Sequence, residues 1–213
     1  MAHPVGKKEE SREKILVSAG QGFRRHGFGG LGIDGLAKAA GVTSGAFYAH
    51  FKSKADAFRA SVTRGMADLA EGVCRFRREG GDWVARFVEF YLTERGTCEL
   101  GESCALQSLT NEVGRSEPQT RMAFEVELQR TIDGLASGMA TGSVEGDRAK
   151  AIALLATLSG GISMARAVND PAFAYEIISA LRSAIRHSGV SLGSRDGQRS
   201  TCDDPSEGDA TVK

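Results

Sequence analysis

The side chains best suited to recognition chemistry are concentrated in one short stretch. The run Ile33-Asp34-Gly35-Leu36-Ala37-Lys38-Ala39-Ala40-Gly41-Val42-Thr43-Ser44-Gly45-Ala46-Phe47-Tyr48-Ala49-His50-Phe51 reads as two short helices around a glycine turn. Gly41 supplies the positive φ that lets the second helix cross the first, while Leu36, Ala37 and Ala40 can pack beneath Val42 and Phe47. The small residues Ser44, Gly45 and Ala46 open the second helix, so its backbone can approach a groove N-terminus first, where the helix dipole favours phosphate. The chemistry this implies is hydrogen bonding to a polyanion and to base edges.

Charge supports that reading. Net charge is zero over the 213 residues, yet residues 1–60 hold ten Lys and Arg against five Asp and Glu, whereas 61–189 hold fourteen against seventeen and 190–213 three against five. A basic segment on an acidic body suits phosphate binding, because Lys and Arg release counterions from nucleic acid. No other chemistry finds a foothold. Cys74, Cys98, Cys104 and Cys202 match no zinc-ligand spacing, and His3, His26, His50 and His187 form no i, i+4 pair. There is no Gly-rich phosphate loop and no nucleophile elbow, so a small helical enzyme, using for example Asn111 and Glu112, is a distant alternative. No cofactor and no metal are expected. Apolar runs such as 151–158 are too short for a bilayer, and Glu9, Glu10 and Glu13 interrupt any signal-peptide pattern, which points to the cytoplasm.

Apolar residues recur at spacings of three and four along the chain, which predicts an all-α fold of about nine helices. A flexible arm (1–9) precedes a helix-turn-helix domain (10–52), whose first helix covers about 10–26 with Ile15, Leu16, Ala19 and Phe23 on its buried stripe. Its second and third helices cover about 33–40 and 43–50. Ser53 and Asp56 form a capping box for a connecting helix (53–78) that opens a C-terminal helical bundle domain (53–189). Within it, Asp82 is expected to cap a fifth helix, and a sixth should run from about 102 to 114. Ser116 should cap a seventh reaching about 139, and an eighth should span 147–168. Asp170-Pro171 starts the ninth. Residues 190–213, rich in Ser, Gly and Asp, read as a disordered tail.

The segment Gly41-Val42-Thr43-Ser44-Gly45-Ala46-Phe47-Tyr48-Ala49-His50-Phe51-Lys52-Ser53-Lys54 resembles the signature of the TetR/AcrR family of regulators, and the likeness runs from about Lys14 to Phe58. Cys104-Ala105-Leu106 is similar to members of the family as well. The resemblance implies a three-helix DNA-binding domain, a connecting helix, and a domain that dimerises and binds an effector. It also implies that Thr43 caps the recognition helix and contacts DNA, that Ser44, Gly45 and Ala46 lie against base edges, and that Tyr48, His50 and Lys54 hold the backbone. Leu31-Gly32 departs from the pattern, since many relatives carry Thr or Ser just before the second helix.

Three expectations concern the body. Trp83, Phe87, Tyr91, Cys104, Asn111 and Met122 are candidates to line a pocket for a small apolar or aromatic effector. Leu155, Leu158, Ile162 and Ala165, with Ile177, Leu181 and Ile185, carry more apolar surface than a small monomer hides and predict a four-helix homodimer interface. The alternative to an apolar effector is a thiol switch at Cys98 and Cys104. The partners expected are therefore palindromic double-stranded operator DNA, an effector and a second copy of the chain, with no membrane.

Overall fold

The computed structural model describes residues 4–187 apart from 140, with side chains from Lys8 onward. The expected tail (190–213) and Cys202 lie outside the described residues. Among the described residues there are nine α-helices, one 3-10 turn and no strand. In order they are α1 (Pro4–Gly30), α2 (Ile33–Ala39), α3 (Ser44–Tyr48), α4 (Lys54–Glu79), α5 (Trp83–Thr97), the 3-10 turn Leu100–Glu102, α6 (Ala105–Gly114), α7 (Pro118–Ala136), α8 (Val144–Ala167) and α9 (Pro171–His187).

Helix α1 starts at Pro4, so residues 4–9 extend the first helix instead of forming a separate arm. It breaks at Gly27, where φ is +70°, a conformation cheap only for glycine, and one further turn follows. Ile15, Leu16, Ala19 and Phe23 form its buried stripe. Phe23, Phe28 of the turn beyond the break, and Phe58 of α4 form an aromatic cluster, with Phe28 and Phe23 each 5.1 Å from Phe58. Each ring removed from water contributes roughly 1.5–3 kcal/mol, so this cluster fixes the head on the start of α4.

Helix α4 runs from head to body. Its start is tied reciprocally: the Ser53 hydroxyl accepts from the Asp56 N–H at 3.0 Å, and the Asp56 carboxylate accepts from the Lys52 N–H at 3.1 Å. It then packs on α1, α5, α6 and α7, while α8 and α9 pack as a pair beside α7.

Several expected caps differ. Asp82 makes no capping bond to α5. Ser116 donates its hydroxyl back to the Glu112 carbonyl at 2.7 Å and closes α6, leaving Glu117 before Pro118 at the start of α7. Ser143 caps α8 by accepting from the Gly146 N–H at 3.0 Å, so that helix begins three residues before Asp147.

Candidate functional site

The head presents α3 on the surface. Leu36, Ala37, Phe47 and Phe51 are fully buried, and Gly41, at φ +68°, makes the turn between α2 and α3. The Thr43 hydroxyl accepts from the Ala46 N–H at 3.2 Å and caps α3. Ser44 donates its hydroxyl to Asp34 at 2.5 Å, tying the start of α3 to the start of α2. Gly45 is exposed and Ala46 half-buried; no side chain but the Thr43 hydroxyl comes within 4 Å of the place a Cβ would take on Gly45. Tyr48 is 54% exposed. His50 is half-buried, and its Nδ1 is enclosed without a hydrogen-bond partner. Lys54 lies with its ammonium 4.8 Å from the centre of the Phe28 ring, a cation–π contact that holds it beside α3. Gly32, at the head of α2, provides no side-chain cap, as the Leu31-Gly32 departure requires.

A cavity of about 850 Å³ lies in the body and is bordered on the head side by Arg24 of α1. Phe76 of α4 and Phe87, Phe90 and Tyr91 of α5 supply its apolar wall, and Cys104 and Ala105 close it at the start of α6. Of the six pocket candidates, Phe87, Tyr91 and Cys104 line it. Trp83 is buried but packs against Gly138, so tightly that a Cβ there would lie 2.3 Å from its ring. Asn111 is exposed, and Met122 is 64% exposed on the outer face of α7. These three take no part in the cavity because their helices turn those positions toward the core or the solvent.

What sequence reasoning missed is the charge of the lining: Arg24, Arg75, Arg78, Arg95 and Arg130 face it with Asp68, Glu71 and Glu102. A charged residue on an amphipathic helix ordinarily reads as solvated. The available signal was Asp68, Gly72, Arg75 and Phe76, which recur at helical spacing on one face of α4.

Arg24 and its neighbour Arg25 join α1 to the turn at Leu100–Glu102. Arg24 donates to the Gly101 carbonyl at 3.3 Å. Arg25 grips both oxygens of Glu99, at 2.9 and 2.7 Å, and Glu99 also accepts from the Gly101 N–H. Hydrogen bonding to Arg25 holds the Glu99 carboxyl down at about 2.

Residues 15–60 match the family described as bacterial regulatory proteins, tetR family. They coincide with the capped helix-turn-helix and its seat on α4. The head is thus similar to the DNA-binding segment of that family. Within its head the chain is 46% identical over 50 residues to the HTH-type transcriptional regulator AcrR of Shigella flexneri (24% of this chain, 23% of that protein). It is 33% identical over 66 residues to the HTH-type transcriptional activator FasR of Mycolicibacterium smegmatis (31% and 30%). The chain therefore matches less than a third of the length of either relative. The fold is similar to E. coli NemR in its reduced form, with a TM-score of 0.70 at 22% identity over 84% of this chain and 96% of that one. It is also similar to a TetR-family regulator from Agrobacterium tumefaciens, with a TM-score of 0.69 at 17% identity over 84% and 98%.

In the body, the seven residues expected at a dimer interface are largely buried inside the subunit. Leu155, Leu158, Ile162 and Ile185 are buried in the core, and Ala165, Ile177 and Leu181 are half-buried. Leu181 lies over Gly161, where a Cβ would come within 2.1 Å of its methyl carbon. The stripe is thus buried largely within one chain, where α8 packs on α5, α6, α7 and α9. A second stripe stays open: Ile152, Ala156, Gly160 and Met164 on α8, and Phe173, Ala180 and Ala184 on α9.

Cys98 and Cys104 are free, and of these two Cys104 lines the cavity. Cys104 is the residue preceding α6, not a member of its first turn. Cys98 closes α5, donates to the Arg95 carbonyl at 3.4 Å and accepts from the Arg166 guanidinium at 3.4 Å. Among the described residues no group of His, Cys, Asp and Glu is placed to hold a metal ion, and no helix is long and apolar enough to cross a membrane.

Proposed function

We propose that the chain is a cytoplasmic, ligand-responsive transcriptional repressor that binds a palindromic operator as a homodimer and is released by a small apolar or aromatic effector. The observation that carries this reading is the exposed, Thr43-capped α3 on a head that matches the tetR family and whose first helix reaches the cavity through Arg24. Thr43, Ser44, Gly45 and Ala46 face the bases in this reading, with Ser44 also anchored on Asp34. Tyr48, His50 and Lys54 hold the phosphates. The partner subunit packs on the open stripe of α8 and α9, an isologous four-helix contact that sets the spacing of the two heads.

An effector in the cavity acts on the head through the contacts of Arg24 and Arg25 with the turn at Glu99–Gly101. It releases DNA by favouring an arrangement in which the two α3 helices no longer match successive major grooves. The experiment is selection of tight-binding duplexes from random DNA, followed by titration with and without candidate ligands. Enrichment of a two-fold symmetric site supports the reading, and failure to enrich any sequence opposes it.

A second reading, a thiol switch, is favoured by Cys104 lining the cavity and by the Arg166 guanidinium on Cys98. The fold neighbour NemR, whose structure is described as a reduced form, lends it further support. Loss of release by every effective compound in the Cys98→Ser, Cys104→Ser double variant would select it over the pocket mechanism.

A further inference from the structure

We propose that the effector is an organic monoanion, a carboxylate carried on an apolar body, and that its carboxylate docks on Arg24. This rests on the reading of the cavity as the effector site and adds the ligand's chemical class. The lining carries more arginines than carboxylates, and the carboxylates are partly engaged elsewhere: Asp68 binds Arg64 at 2.9 Å, and Glu102 accepts from Gln21 at 2.6 Å.

Arg24 is the residue left short. No carboxylate lies within ion-pair distance of it among the described residues, its Nε is enclosed without a partner, and its one side-chain hydrogen bond is to the Gly101 carbonyl. Burial pushes its pKa down against the opposing pull of Cys104, Asp68 and Glu102, yet a guanidinium stays charged at neutral pH, so the cavity is lined by a cation with carboxylates nearby but no direct ion pair.

The hydroxyl of Tyr91 makes the same demand. It is enclosed with no oxygen or nitrogen partner, its polar neighbour being the Cys104 thiol, which also lies within electrostatic reach of Arg24. One carboxylate accepting from Arg24 and from Tyr91 satisfies both groups, and the rings of Phe76, Phe87 and Phe90 cover the rest of the ligand. A volume near 850 Å³ admits a body of naphthyl or medium acyl-chain size.

The same arrangement supplies the coupling. Arg24 belongs to α1 of the head, so a carboxylate that draws its guanidinium into the cavity competes with the Gly101 carbonyl that now holds α1 to the body.

The test is calorimetric titration of the full-length protein, without DNA, with 2-naphthoate against 2-naphthamide and decanoate against decanamide. At least one acid should bind about tenfold or more tightly than its amide. Arg24→Gln should weaken that acid roughly 10- to 100-fold and leave the amide within about threefold, while Arg121→Gln, on the outer face of α7, changes neither. Arg24→Lys, which keeps the charge but loses the fork, should fall between. Equal binding of acid and amide by the unaltered protein, equal loss of both in Arg24→Gln, or no binding of any of the four compounds overturns the proposal. Should Arg24→Gln fail to fold, the acid-to-amide ratio of the unaltered protein and of Arg24→Lys decides. The regulator reading fails separately: an acid that binds through Arg24 yet leaves the protein's hold on a selected duplex unchanged keeps the ligand class and removes its role in release.

Discussion

Gly65 sits where α4 passes both Ala105 of α6 and the Arg24 guanidinium. A Cβ added there would lie 2.6 Å from the Ala105 Cβ and 2.6 Å from an Arg24 nitrogen. Carbon atoms in ordinary contact stand about 3.5–4.0 Å apart, so Gly65→Ala obliges α4 and α6 to separate by about 1 Å and displaces Arg24. The displacement is costly because Ala105 has no flexible end to swing away. Replacing a helical glycine by alanine gains about 1 kcal/mol, and overpacking costs roughly 1–3 kcal/mol, which leaves Gly65→Ala about 0–2 kcal/mol less stable. Gly72, two turns along the same helix, has nothing within 4 Å of its added Cβ. Gly72→Ala should keep the propensity gain of about 1 kcal/mol. The Gly65→Ala melting temperature should therefore lie below that of Gly72→Ala, down by as much as about 8 °C for the former and up by about 2–4 °C for the latter. Thermal unfolding followed by circular dichroism measures both. A Gly65→Ala protein as stable as Gly72→Ala refutes the claimed closeness of α4, α6 and Arg24, and with it the account of how cavity and head are joined.

Thr43→Ala removes the cap of α3 and should lower stability by about 1 kcal/mol, read by denaturant titration, and weaken DNA binding more than it weakens folding. Tyr48→Ala and Lys54→Ala should weaken selected and unrelated duplexes alike, with the Lys54 variant reducing the salt slope by about one, measured by anisotropy over a range of salt. The Arg25–Glu99 bridge has a defined pH range: Glu99 is held near 2 against an ordinary value of 4.5, so its contribution is present above that ordinary value and is lost as pH falls through about 2. Glu99→Gln should thus be less stable than the unaltered protein at pH 7, with the difference closing between about pH 5 and pH 2 in urea titrations. On the open stripe, Ala156→Glu should give folded monomers by light scattering, whereas Leu158→Glu, at a fully buried position, should prevent folding.

Where local chemistry decides structure, the residues were readable. Gly41, Thr43 and the Ser53/Asp56 pair each satisfy a requirement of a turn or a helix end, and the turn and helix starts lie where those residues place them. Ser116 misled because a serine between two helices can bond forward or back, and here it bonds back to Glu112. Leu155, Leu158 and Ile162 were recognisable as an apolar stripe, but periodicity does not say which neighbour covers it, and here they are buried in the core of the same chain, where α8 packs on α5, α6, α7 and α9. Arg24 was invisible as a site residue for a related reason. Its place beside Gly65 and Gly101 comes from the packing of α1 on α4 and on the turn after α5, which no local pattern encodes.

The central claim, that α3 reads DNA on behalf of a ligand-sensing body, is tested most directly by fluorescence anisotropy. A duplex selected by the protein is titrated at two salt concentrations, with a scrambled duplex as competitor and with 2-naphthoate or decanoate added to the complex. The account predicts binding of the selected duplex at least about 1,000-fold tighter than the scrambled one, a steep loss of affinity with salt, and release on adding an acid that binds the cavity. Equal affinity for selected and scrambled duplexes, or a selected complex that no cavity-binding acid disturbs, would contradict it.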